Sequence, residues 1–88
     1  MLDVRYSTQY KKDMKSCVRR NYDLDLLKSV IDTLRIPADL PSQYHNHGLS
    51  GFYKGYQECH ITPDWLLVYK YDKGCLLLYR TGSHSDLF

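Results

Sequence analysis

The chain has 88 residues, room for one domain, and a domain this short leaves a larger share of its surface in water than a bigger one does. Hydrophobic residues at 43% and charged residues at 25% exclude a disordered or fibrous chain. The formal net charge of +2 hides an uneven distribution, because Arg5, Lys11, Lys12, Lys15, Arg19 and Arg20 face only Asp3 and Asp13 near the N-terminus. Such a basic end suits a nucleic acid or an acidic partner, although most runs of this kind are solvated helix faces. The longest apolar run, Trp65 to Tyr69, is far below the roughly 18 residues of a membrane span, so no membrane helix is expected. No apolar stretch follows Asp3 and Arg5, so a secretory leader is not expected and a cytoplasmic protein is. Cys17, Cys59 and Cys75 are odd in number and widely spaced, which points to reduced thiols rather than to disulfides or a zinc knuckle.

Residues 2 to 6 alternate apolar and polar, the period of a half-buried strand. Ser7 then caps a helix in which Tyr10, Met14, Cys17 and Val18 form one apolar stripe and Lys11, Lys15 and Arg19 another, basic face. A second helix starts at Asp23 as N-cap, carries Leu26, Leu27, Val30, Ile31 and Leu34, and is ended by Pro37. Residues 37 to 50 hold Pro37, Pro41, Ser42, Asn46 and Gly48 and read as a loop. Three strands follow, at about 55 to 61, 65 to 71 and 75 to 81, joined by turns at Thr62-Pro63-Asp64 and Asp72-Lys73-Gly74 short enough to force antiparallel hairpins. The pattern predicts a single α+β domain over residues 1–88, in the order βααβββ, with two N-terminal helices packed on a mainly antiparallel sheet.

Antiparallel pairing brings the end of the second strand, the start of the third and the end of the fourth to one sheet edge, where His60, Asp64, Trp65, Arg80 and His84 all map. Each alone has an ordinary explanation: a surface histidine, a turn aspartate, an ion-paired arginine, a core tryptophan. Together, four polar or ionisable residues at one edge of a small sheet have no packing purpose. RNA carries its own nucleophile, the ribose 2′-hydroxyl. Its cleavage needs a base for that proton, an acid for the leaving 5′-oxygen and positive charge for the phosphorane. Histidine, with an ordinary pKa near 6.5, suits the first two roles. Arginine can fork onto phosphate oxygens, aspartate can orient a histidine or act as base, and a tryptophan can stack on an unpaired base. None of these steps requires a metal or other cofactor. Histidine is also a common metal ligand, but His45 and His47 stand only two residues apart in a loop, and a metal is the less favoured reading.

The segments His47-Gly-Leu-Ser-Gly51, Lys54-Gly55-Tyr56, His60, Pro63-Asp64-Trp65, Leu67-Val68-Tyr69-Lys70 and Arg80-Thr81-Gly82-Ser83-His84, with Leu87-Phe88, resemble the YafQ-type messenger RNA interferases of the RelE toxin superfamily. The likeness is close in the C-terminal half and agrees in length and pattern in the helical half. It implies a RelE-like fold and the toxin of a type II toxin–antitoxin system. Such a toxin enters the ribosomal A site, contacts ribosomal RNA, cuts the message there, and is held inactive by a DinJ-like antitoxin. It also implies catalytic roles for His47, His60, Asp64, Arg80 and His84, and RNA contacts from Trp65 and Phe88. Lys54 and the basic residues Lys11, Lys12, Lys15 and Arg19 are further candidates for RNA contact. Two positions depart from the pattern: Tyr53 stands where relatives commonly have tryptophan, and Gln57 where they have arginine. His45 has no counterpart in it. The competing expectations are a gyrase inhibitor of the ParE branch, which works by binding, and a non-catalytic co-repressor module. The paired acid–base groups argue against both.

Overall fold

The computed structural model describes residues 1–88. Its elements are β1 (Asp3–Tyr6), α1 (Thr8–Arg19), α2 (Leu24–Arg35), β2 (His47–Gly48), β3 (Gln57–Thr62), β4 (Trp65–Asp72), β5 (Cys75–Gly82) and α3 (His84–Leu87), with single 3₁₀ turns at Ser42–Tyr44 and Gly51–Tyr53. No helix is long and apolar enough to cross a membrane. Both long helices begin where cap residues put them. The Ser7 side chain accepts from the Tyr10 amide and donates to the Tyr79 carbonyl at 2.6 Å, which ties the start of α1 to β5, and the Asp23 side chain accepts from the Asp25 amide. The β4–β5 hairpin turns on Lys73 and Gly74, both at positive φ (50° and 77°), the two-residue turn whose twist matches that of its strands.

The sheet runs β1-β5-β4-β3-β2, antiparallel except where β1 lies parallel to β5. α1 and α2 cover one face, burying Tyr10, Cys17, Leu27, Val30 and Leu34 against Cys59, Ile61, Leu67, Tyr69, Leu76 and Leu78. On the opposite face Leu66, Val68 and Leu87 form a smaller cluster with Leu49, Tyr53, Tyr56 and Tyr79. That second face explains two elements beyond the expected βααβββ order. β2, two residues long, is too short to show a period, and α3 is one turn closed by a capping box between Ser83 and Asp86. The apolar stripe of α1 also differs from expectation: Asp13 is buried in it, while Val18 is 57% exposed.

Candidate active site

Along β3, Cys59 and Ile61 point into the helix-covered core, so Glu58 and His60 point to the opposite face. The register there sets two rows across three strands. One is Glu58, Val68, Arg80 and the next is His60, Leu66, Gly82. β2 pairs His47 with Glu58. α3 returns His84 to the same end, its ring centroid 5.6 Å from that of His60.

Two carboxylates organise these rings. Asp64, in the β3–β4 turn, accepts from the His84 backbone amide at 3.0 Å, and its Oδ1 lies 2.6 Å from His84 Nδ1. With Nδ1–H directed at a carboxylate, the neutral ring keeps its lone pair on Nε2, the form a general base needs, and the same aspartate stabilises the imidazolium that follows. Glu58 is buried, and its Oε1 stands 3.4 Å from His60 Nε2 and 3.5 Å from His47 Nε2. His47 is turned that way by Nδ1, which bonds the His45 carbonyl at 2.7 Å.

The bonds from His84 hold the Asp64 carboxyl below the usual carboxylate range. A carboxyl depressed in the folded state stabilises it above its unfolded pKa, and that contribution is lost as pH falls through the folded value. Asp64 is open to solvent, so the effect on stability is small. The ring geometry is the better readout. Acidification through and below about pH 4 is expected to release His84 Nδ1–H, visible as a shift of its imidazole nitrogen resonance. Asp64→Asn should abolish that transition, and its persistence in the variant would reject the assignment.

Arg80 shares the Glu58 row, at the end of β5 that β1 leaves unpaired. There Nε and Nη2 donate to Asp13 Oδ2 and Oδ1, each at 3.0 Å. Asp13 also accepts from the Thr81 amide at 3.1 Å and from Gln9 Nε2 at 3.0 Å. The fork fixes the guanidinium plane, and together with the nearby Tyr53 hydroxyl it favours the charged guanidinium. A bidentate pair of this kind is rigid where a lone arginine is not.

The expected set is thus brought together unevenly. His47, His60, Asp64 and His84 converge, and Arg80 stands beside them with one face committed to α1. Phe88 is 63% exposed, edge-on to Tyr53 at 5.5 Å, and Lys54, Lys11, Lys12, Lys15 and Arg19 are exposed. Trp65 must be corrected as a base-stacking residue. It is 2% exposed, packed on Tyr22, with Nε1 donating to Thr81 Oγ1 at 2.8 Å, so its ring offers no face to RNA. Sequence reasoning missed Glu58 and Asp13. Glu58 was findable, since it stands two residues before His60 and therefore on the same face of a strand.

Over residues 2–88 the sequence matches the family described as the bacterial toxin of type II toxin–antitoxin system, YafQ. The chain belongs to the YafQ toxin family. The mRNA interferase toxin YafQ of Escherichia coli K12 is 41% identical over 87 residues, covering 98% of this chain and 95% of its own. A copper-bound mutant toxin from Helicobacter pylori has a TM-score of 0.95 at 40% identity, with both chains covered in full. The E. coli DinJ–YafQ complex contains a chain with a TM-score of 0.90 at 38% identity, covering 100% of this chain and 99% of that one. The YafQ fold therefore extends through both helices, where motif likeness alone was weak.

Proposed function

We propose that this YafQ toxin cuts messenger RNA in the ribosomal A site by metal-independent acid–base chemistry, as one cytoplasmic domain spanning residues 1–88. The chain is an endoribonuclease toxin. The observation that carries the mechanism is the pair of carboxylate-oriented imidazoles, His60 and His84, 5.6 Å apart on one open face. One takes the proton from the 2′-hydroxyl, which attacks the adjacent phosphorus. The other gives a proton to the departing 5′-oxygen, leaving a 2′,3′-cyclic phosphate. His47 and Glu58 hold the His60 ring, Asp64 holds His84, and the Arg80 guanidinium meets the charge that builds on the phosphorane. Phe88 supplies an exposed ring for stacking, and Lys54 with the basic face of α1 attracts the phosphate backbone of message and ribosomal RNA.

Cleavage mapping in a translation extract, with ribosomes stalled on a defined codon, tests this reading. Cuts are expected within the A-site codon and to vanish when ribosomes are removed. Equal cutting of free message would reject ribosome dependence, and intact translation with lost DNA supercoiling would reject the nuclease in favour of a gyrase inhibitor.

Two crystal structures of toxin from H. pylori contain bound metal, copper in the one of a mutant. In this chain one ligand atom each from His47, Glu58 and His60 lie within 4.8 Å of one another, a spacing that suits a cation. A metal there would take the lone pairs on which acid–base chemistry depends. Copper(II) or zinc(II) is therefore expected to inhibit cleavage, with recovery on adding a chelator. Activity of metal-free protein that appears only on adding a metal ion would overturn metal independence.

Inhibition follows from the partner that its E. coli relative is seen with, a DinJ antitoxin. A groove of about 530 Å³ between β1, α1 and α2 is floored by Val4, Tyr10, Met14 and Leu27 and edged by Lys11, Arg35 and the paired Lys28 and Asp32, a net positive rim. Those features suit an acidic amphipathic segment of a DinJ-like antitoxin that folds on contact. Lys11→Glu with Arg35→Glu is expected to weaken the complex at least about tenfold by titration calorimetry. An unchanged affinity would remove the groove from the interface.

A further inference from the structure

We infer that the cleft on the far side of His60 is a nucleobase subsite, which reads a base next to the linkage being cut and so sets the sequence preference of the enzyme. The inference rests on the acid–base reading of His60 above. β2 begins only at His47 and pairs only with Gln57 and Glu58, so the outer edge of β3 from Cys59 to Thr62 has no neighbouring strand. The 3₁₀ turn Ser42–Tyr44 stands beside that edge instead, leaving a cavity of about 640 Å³. That is within the size range of small-ligand sites. Gln43, Tyr44, His45 and Pro63 line it together with His60.

The chemistry of that lining is specific. No lysine, arginine or carboxylate belongs to it. It therefore suits a neutral planar group rather than a phosphate. Tyr44 and His45 offer aromatic surface, and the Gln43 amide presents a donor and an acceptor side by side, the pattern that matches a base edge. The His45 ring stands edge-on to His60 with centroids 5.6 Å apart. An occupant of the cleft is thus one side chain from the reacting groups. Backbone geometry ties the two sites as well: His45 is held in the left-handed region at φ 48°, and its carbonyl takes the bond from His47 Nδ1.

The test is deep sequencing of cleavage ends from a randomised message pool in a translation extract, for the wild type, Gln43→Ala and His45→Ala. Each variant is expected to change the relative rates among the four bases at one position beside the cut by about five- to a hundredfold. His60→Ala is expected to lose cutting at every sequence. An unchanged base profile in both cleft variants overturns the subsite. So does an unchanged profile accompanied by weaker antitoxin binding, which would assign the cleft to the protein partner. Full activity of His60→Ala would instead refute the acid–base reading, whatever the cleft variants do.

Discussion

Replacing His84 or His60 by alanine is expected to slow message cleavage by about a hundred- to ten-thousand-fold and to abolish growth arrest on expression. The thermal midpoint should barely move for His84→Ala and fall modestly for His60→Ala, which leaves the buried Glu58 carboxylate facing His47 alone. The His84 side chain is 53% exposed and that of His60 21%, so neither truncation opens a buried hole. The double variant should be little worse than either single one, because the two rings serve the same transition state and removing either already disables it. His84→Ala leaves Asp64 without its ring partner but still in water, at little cost. Single-turnover kinetics on stalled ribosomes checks the rate, and a melting curve checks the fold. Unchanged toxicity in both single variants would remove the histidine pair from the mechanism.

The reach of the sequence follows from how each element carries its information. Runs of aromatic and aliphatic residues between turn residues mark β4 and β5 within a residue of their ends, because each strand is eight residues long and carries core residues along most of its length. β2 has two residues and no period, so it passes for loop. α3 does leave a mark, Ser83-x-x-Asp86, but a single turn has no amphipathic repeat to support it. The convergence of His60, Asp64 and His84 was legible because hairpin connectivity dictates which strand ends meet. The aim of Arg80 was not. Its direction depends on a carboxylate 67 positions away on α1, in a helix whose sequence pattern shows an apolar stripe without that residue. Trp65 shows the opposite case: it does stand by the turn, but alternation of side chains along β4 turns its ring into the helix-covered core with Leu67 and Tyr69.

Asp13→Ala is the sharper test of how the fold sets up the chemistry. Asp13 is 9% exposed and its two oxygens accept from Arg80, Thr81 and Gln9, so truncation strands a guanidinium and a strand amide at once. Removing one partner of a buried pair commonly costs 3 to 5 kcal/mol, and because Arg80 keeps some contact with water the lower figure, about 3 kcal/mol, is expected here. Activity should fall by more than stability explains. With its anchor gone, Arg80 regains rotamer freedom, and kcat is expected to drop at least about tenfold with less change in KM. Asp13→Asn should fall between, since an amide preserves shape but turns an N–H toward one donor. The decisive measurement is the Asp13→Ala, Arg80→Ala double variant, assayed well below its melting temperature. If Asp13 acts through Arg80, the double variant has the same kcat as Arg80→Ala alone. Losses that multiply would mean that Asp13 serves only the packing of α1 on β5.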